Sequence, residues 1–367
     1  MLYGLRVGLL SAAVLLSSPA LAEQGPGVVA SIKPVHSLVA AVMEGVGTPH
    51  LIIEGGGSPH TYSLKPSDAR ALEQAEAVFW IGRDIETFLV RPIDELAPQA
   101  QHVALQEVED LVRLEFREGG PFEAHAHGDH EHHDHDHAGH DHAGHDHDSS
   151  HSHDHDHDHS HGHDHSHDHD HDHGHAHESD HQHEHGDGHA HGHGAFDGHY
   201  WLDPVNAQHF VRRIAEVLID VDPDHAEIYR QNAAATELRL SELTEEMAAM
   251  LAPVADRPFI VFHDAYQYLE ARFDLNTVGS ITVSPERAPG AGRIAEIRNR
   301  IDELGAVCIF AEPQFEPRLV NLLVEETAAR SGVLDPLGSD LGDGPDLYFD
   351  LMRGNAEALR NCLQENS

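Results

Sequence analysis

Histidine alternates with aspartate, glycine and serine through a tract that runs from His125 to His193. The tract holds 31 of the chain's 39 histidines and contains neither lysine nor arginine. Imidazole is a strong ligand for transition metals, and near neutral pH most of these rings are uncharged and able to coordinate. The tract therefore predicts metal binding. Because zinc, nickel and copper all suit imidazole, its composition favours zinc only weakly.

The same tract has almost no apolar residues that a folded core could bury. We therefore expect it to be disordered without metal. The alternative interpretation is a solvated, low-complexity linker whose histidines bind nothing. A strong bias toward one metal-binding side chain favours the metal-binding interpretation.

Three histidines outside the tract are placed where ligands collect in α/β proteins. His60 follows a short apolar run and three glycines, His199 comes just after the tract, and His263 directly ends another apolar run. Asp335 follows a further short run and precedes a proline. Three imidazoles and one carboxylate would complete a tetrahedral zinc site. Singly, each histidine could instead satisfy nearby backbone groups, and Asp335 could belong to a turn.

The elements that must position these residues alternate between short apolar runs and amphipathic stretches, which is typical of βαβ units with parallel sheets. Predicted strands are 28–32, 51–53, 77–81, 259–262, 307–310 and 332–334, and predicted helices include 37–43, 69–75, 265–272, 294–304 and 319–331. Asp203 can cap a helix with Pro204 at its first position, and a long helix is predicted between Pro223 and Pro253. Two α/β halves joined by that helix would leave a ligand-binding cleft at the strand ends.

The N-terminus has the pattern of an export signal. Arg6 precedes an apolar run over 7–16, and Ala20, Leu21 and Ala22 form an A-x-A cleavage site. We expect cleavage after Ala22, and no later segment is apolar enough to cross a bilayer. The formal charge of −42 argues against nucleic acid and against an anionic membrane surface as partners.

The chain has two cysteines, Cys308 and Cys362. In an oxidising compartment an even pair favours a disulfide, with two buried thiols as the alternative. A two-cysteine zinc site is disfavoured, because nothing near either residue has ligand spacing.

Several longer motifs make the sequence resemble the ZnuA family, the zinc-specific periplasmic solute-binding proteins of metal-importing ABC transporters. The resemblance runs from about Val28 to near the C-terminus and is interrupted only by the tract. The motifs that carry it are 29–34 (VASIKP), 58–68 (SPHTYSLKPSD), 199–204 (HYWLDP), 261–266 (VFHDAY), 310–315 (FAEPQF) and 334–338 (LDPLG).

The resemblance implies that His60, His199 and His263 are imidazole ligands and that Asp335 is a carboxylate facing the same site. It also implies a disulfide between Cys308 and Cys362. Manganese-binding relatives have a glutamate at the position of His263, and nitrogen at this position favours zinc. Some zinc-binding members have an acidic residue beside the first histidine, where this chain has a proline, so Asp335 or water would complete the zinc site.

The resemblance further implies two Rossmann-like α/β lobes joined by one long rigid helix, with the metal in the cleft between them. We predict a signal peptide over 1–22, an N-terminal lobe over 27–222 with a disordered metal-binding loop at 119–198, a connecting helix over 223–253 and a C-terminal lobe over 254–367. The implied function is the capture of Zn²⁺ as transported ligand in the periplasm and its delivery to a zinc ABC permease in the inner membrane. We expect a monomer that neither inserts into the membrane nor acts as an enzyme.

Four other functions were weighed. An exported zinc enzyme would use the three histidines and keep a position open for water, with Asp335 or Glu312 as general base. A metal store or sensor would use the tract as its main site. A manganese binder is disfavoured by His263, and an adhesin would need a lipid anchor, for which no cysteine follows the signal peptide.

Overall fold

The computed structural model describes residues 25–117, 122, 196–282 and 290–364, which all belong to one compact unit. The predicted signal peptide and nearly all of the predicted disordered tract lie outside the described residues. The predicted domain boundaries stay predictions, because the described elements do not define where one domain ends.

The first half of the chain forms a four-stranded parallel sheet with the order β2-β1-β3-β4. Its strands are β1 (Val28–Ala30), β2 (His50–Leu51), β3 (Ala77–Trp80) and β4 (Gln101–Ala104). The two central strands, β1 and β3, are buried along their whole length. This explains their continuous apolar sequence, since helices cover both faces of such a sheet.

The second half forms another four-stranded parallel sheet with the order β6-β5-β7-β8. Its strands are β5 (Phe259–His263), β6 (Thr277–Thr282), β7 (Cys308–Ala311) and β8 (Arg330–Val333). Central strands β5 and β7 are again fully buried. The prediction of two α/β lobes with parallel sheets is confirmed.

Nine α-helices lie in the described residues. They are α1 (Lys33–Val42), α2 (Pro66–Glu73), α3 (Val90–Leu96), α4 (Pro204–Val221), α5 (Ala226–Leu251), α6 (Gln267–Phe273), α7 (Ala291–Leu304), α8 (Arg318–Glu325) and α9 (Leu347–Leu363). The predicted start of α4 is confirmed, because the Asp203 side chain accepts a hydrogen bond from Val205 N at 2.9 Å.

The longest helix, α5, packs against α1, α4 and α9. Its buried residues recur at intervals of three and four: Tyr229, Ala233, Thr236, Leu240, Leu243, Met247 and Leu251. This spacing gives one buried stripe along the helix. The main hydrophobic core contains residues from both halves, and a smaller core lies within the second half.

Helix α9 ties the end of the chain to both halves. Tyr348 N donates to Ser37 Oγ in α1 at 2.9 Å, and the Tyr348 hydroxyl donates to Trp201 O at 2.7 Å. A disulfide between Cys308 and Cys362 joins α9 to β7, with the Cα atoms 6.1 Å apart. The predicted disulfide is confirmed.

Candidate metal centre

His60 lies in a loop after β2 that contains three consecutive glycines, 55–57. Gly55 has a φ of 62°, a left-handed conformation that glycine adopts without strain. Tyr62 anchors the far side of the loop, because its hydroxyl donates to Ile52 O at 2.9 Å and contacts Asp68 Oδ2 at 3.1 Å. The loop is thereby fixed, and His60 stays only partly buried.

His199 lies just before the 3₁₀ turn Tyr200–Leu202, which leads into α4. The buried carboxylate of Asp197 accepts hydrogen bonds from His199 N at 3.0 Å and from His199 Nδ1 at 2.7 Å. A proton held on Nδ1 leaves the lone pair on Nε2. The Asp197 carboxylate therefore orients the ring for coordination through Nε2.

His263 is the last residue of β5, and Glu312 directly follows the neighbouring strand β7. The Nδ1 atom of His263 lies 2.6 Å from Glu312 Oε1 and 2.8 Å from Glu312 Oε2. Both side chains are almost fully buried. As at His199, a carboxylate accepts a hydrogen bond from the Nδ1–H group, which leaves Nε2 able to bind a metal.

The structure brings these three histidines together. One ring nitrogen from each of His60, His199 and His263 lies within 4.8 Å of the other two. The Nε2 atoms of His199 and His263 are 3.4 Å apart. Two nitrogens at about 2.0–2.1 Å from a tetrahedral zinc ion would be separated by about 3.4 Å. These two rings therefore already have the spacing of a zinc site.

The electrostatics of the pair also suit a cation. Burial and the neighbouring His263 hold the pKa of His199 well below its usual 6.5, so this ring is neutral at neutral pH. Burial lowers the pKa of His263, but the charge and hydrogen bond of Glu312, together with the charges of Asp264 and Asp197, raise it overall. The same negative charge that favours a proton on His263 favours a metal ion at this position.

The space beside the imidazoles is small, and its exposed wall is mostly apolar. Its lining includes His60, His199, His263, Trp201, Phe315, Pro336 and Leu337. Its volume is about 10 Å³, which is roughly what a single water molecule requires. A single ion suits this space better than an organic molecule.

The structure does not bring Asp335 into the group of three histidines. Its carboxylate accepts hydrogen bonds from the backbone N–H groups of the next turn, at Leu337, Gly338 and Ser339. The Gln314 amide also donates to Asp335 Oδ1, at 2.8 Å. Asp335 thus holds the loop that supplies Pro336 and Leu337, and its predicted role as a ligand stays a prediction.

Sequence reasoning missed the orienting carboxylates. Asp197 was not singled out, although it lies two residues before His199. Glu312 was considered only as a general base in an enzyme. The available signal was an acidic residue near each histidine, but acidic residues are so common in this chain that the pattern alone does not identify them.

Comparisons with known proteins identify the family to which this chain belongs. The family model "Zinc-uptake complex component A periplasmic" (ZnuA) matches residues 28–362. This chain belongs to the ZnuA family. It is 54% identical over 345 residues to the high-affinity zinc uptake system protein ZnuA of Brucella suis biovar 1 (strain 1330), with 94% of each chain covered. The corresponding ZnuA protein of Haemophilus influenzae is 40% identical over 364 residues, with 98% of each covered.

The fold of this ZnuA-family chain also resembles a solved structure described as a zinc-bound ZnuA mutant lacking residues 138–173. That structure has a TM-score of 0.64 and 19% identity, and the match covers 93% of this chain and 98% of the other. At this identity the likeness concerns the fold alone. Within the described part of the chain, no helix is both long and apolar enough to cross a membrane.

Proposed function

We propose that this protein captures Zn²⁺ in the periplasm and delivers it to the permease of an ABC importer. The observation that carries the proposal is the convergence of three imidazoles. The Nε2 atoms of His199 and His263 are 3.4 Å apart, and a buried carboxylate orients each of these two rings. In this proposal His60, His199 and His263 are the ligands. The two relatives named above are high-affinity zinc uptake system proteins, which supports zinc as the cargo.

The donor atoms support zinc over a harder cation. Manganese, magnesium and calcium prefer oxygen ligands, whereas three imidazole nitrogens suit zinc. Because the Asp335 carboxylate already accepts five hydrogen bonds, we propose that water completes the tetrahedron. The small size of this space favours transport of the ion over catalysis, because a substrate would need room beside the metal.

The remaining roles rest on the sequence. We propose that the signal peptide is cleaved after Ala22, that the mature protein is a periplasmic monomer, and that residues 223–253 connect the two lobes. The histidine-rich tract would assist zinc capture or buffering. The partner would be a zinc permease in the inner membrane, with no contribution from nucleic acid or from direct membrane insertion.

Calorimetric zinc titration of a protein lacking residues 123–195 tests the site apart from the tract. We expect one tight zinc-binding event, which His263→Ala abolishes. His225→Ala is the matched control, because His225 Nδ1 also contacts a carboxylate, Asp222 Oδ2, at 2.7 Å but lies outside the group of three. That control should keep the event. If deletion removes all tight binding, the tract is the main site and the proposal fails.

Delivery needs its own test. The permease complex, reconstituted in vesicles, should take up zinc only when the zinc-loaded protein is added. Uptake that is equally fast with free zinc would contradict the role in delivery.

A further inference from the structure

Helix α6 of the second half is bonded to both chain segments that flank the histidine-rich tract. The contacts are Gln267 Nε2 to Glu115 O at 3.0 Å, Leu114 N to Tyr268 Oη at 3.2 Å, Tyr268 Oη to Asp197 O at 2.8 Å, and Arg272 to the Asp203 carboxylate at 2.7 and 2.8 Å. An antiparallel bridge between Glu115 and Phe196 joins the two flanking segments to each other. The two chain segments on either side of the tract are thus hydrogen-bonded to the second half.

Arg117 makes the strongest of these connections. Its guanidinium lies between two buried carboxylates of the second half, Asp264 and Glu270. It donates through Nη2 and Nε to Asp264, and through Nη1 to Glu270 at 2.5 Å. The ring of Phe122 covers the guanidinium, with its centroid at 4.0 Å from Cζ. Charge-assisted bonds of this kind, shielded from water, fix geometry strongly.

The charges around Arg117 make it hard to replace. Burial raises the pKa of Glu270 to about 7, and the positive charge of Arg117 acts against that rise. Without the guanidinium, two carboxylates would be buried side by side and unpaired. Removing one partner of a buried ion pair is strongly unfavourable, because it leaves a charge uncompensated.

These contacts reach two of the three histidines. Asp264 directly follows His263 at the end of β5, and Ala265 N donates to His263 O at 2.9 Å. On the other side Tyr268 bonds to the backbone of Asp197, whose carboxylate orients His199. The contacts of Arg117 and α6 therefore hold the rings of His199 and His263 in position relative to each other.

We propose that Arg117 is a positioning residue for the metal centre. By holding Asp264, it fixes the end of β5 against the segment that carries His199 and so slows zinc release. This inference rests on the proposed function, since it assumes that the three histidines bind zinc. Arg117 would act without contacting any of the three histidines, from the chain segment that leads into the histidine-rich tract.

Tryptophan emission can report on the centre in the full-length chain. The Trp201 ring lies 5.2 Å from the His199 ring, the chain has one other tryptophan, and the tract has none. Zinc-loaded protein is mixed with excess EDTA and the emission is followed in time. We expect Arg117→Met to release zinc about tenfold faster than wild type, since loss of groups that hold metal ligands in place typically lowers metal affinity by about 10- to 100-fold.

Arg353→Met is the matched control. Arg353 also forms a two-pronged ion pair, at 2.9 and 3.0 Å from the Glu246 carboxylate, but this exposed pair joins α9 to α5. A merely structural role for Arg117 predicts that both variants lower the melting temperature and that neither changes the release rate. A positioning role for Arg117 predicts faster zinc release for Arg117→Met and an unchanged release rate for Arg353→Met.

A second variant keeps the test decisive if Arg117→Met does not fold. Arg117→Lys keeps a positive charge between Asp264 and Glu270 but loses the two-pronged bond to Asp264, so it should also release zinc faster. Release within twofold of wild type in the variant that folds would overturn the inference. If wild type has no zinc-dependent emission, or if His263→Ala retains it, the proposed metal centre fails instead.

Discussion

Each well-buried histidine of the centre has one ring nitrogen bound to a carboxylate and the other directed toward its neighbour. Asp197 binds His199 and Glu312 binds His263, at Nδ1 in both cases. Because the rings cannot rotate freely, the ligand geometry exists before an ion arrives. Pre-organisation of this kind raises affinity by reducing the entropy lost on binding.

The role of Glu312 can be tested by Glu312→Gln, which keeps the size of the side chain and removes its charge. We expect zinc to bind about 10- to 100-fold more weakly, because His263 loses an anionic partner. Calorimetry on the protein lacking 123–195 measures this change. Glu246→Gln removes the carboxylate of the exposed pair with Arg353 and should leave the affinity unchanged. Equal affinities for wild type and Glu312→Gln would contradict the orienting role.

Asp335→Asn distinguishes a ligand from a residue that orders a loop. The amide oxygen can still accept hydrogen bonds from the backbone of the next turn, so we expect zinc affinity to fall by about tenfold or less. His60→Ala, which removes a proposed ligand, should lower it much further. Comparable losses in the two variants, measured by the same titration, would identify Asp335 as a ligand.

At the scale of elements, the parallel strands bring the histidines together. β5 ends in His263, Glu312 follows β7, and these two strands are neighbours in the second sheet. Side chains at the carboxyl ends of adjacent parallel strands meet at one edge. The first half contributes His60 and His199 from loops, so the centre needs elements from both halves.

The sequence predicted the buried strands and the helices α4 and α5 well, because continuous apolar runs and helical periodicity are strong signals. It missed β4 and β6, whose residues are partly polar, and it missed α3 and α9. The predicted helix 265–272 also starts two residues before α6, which Tyr266 precedes. Asp264 pairs with Arg117, a contact between residues 147 apart in sequence that no local pattern reveals.

The candidate site was predictable only in part. The resemblance to the family identified three histidines that the structure brings together, whereas spacing alone placed them only near strand ends. Asp335 shows the limit of this reasoning. A carboxylate after a strand can face a ligand or accept backbone N–H groups of its own turn, and the sequence is the same in both cases.

The disulfide is the clearest element-scale contributor to stability. It joins β7 to α9 across a sequence separation of 54 residues. Chain-entropy reasoning gives about 4 kcal/mol for a loop of this length. Replacing Cys308 and Cys362 together by alanine should lower the free energy of unfolding by about this amount, measured by urea denaturation. A loss below about 1 kcal/mol would mean that the crosslink hardly restricts the unfolded chain.

At the scale of the whole molecule, buried carboxylates make stability depend on pH. Glu86 is fully buried, and its Oε2 accepts hydrogen bonds from Ile81 N at 2.7 Å and Gly82 N at 3.2 Å. Burial raises the pKa of Glu86 from 4.5 to about 7. Between these two values the folded state binds more protons than the unfolded state. Glu86 therefore lowers stability as pH rises through this window.

Glu86→Gln removes this titration and keeps an oxygen for the two backbone N–H groups. The stability of the variant relative to wild type should increase between pH 4 and pH 8, by at most about 3 kcal/mol. Urea denaturation of zinc-free protein at both pH values measures the difference. A relative stability that stays constant, or falls, as pH rises would contradict the raised pKa.

The central claim is that His60, His199 and His263 hold the zinc ion. The most direct test is an anomalous-scattering map at the zinc absorption edge, from crystals of the zinc-loaded protein. We predict one strong peak at about 2.0–2.1 Å from a nitrogen of each of the three rings. A map with no peak among these rings, or with its strong peaks only elsewhere, would contradict the account.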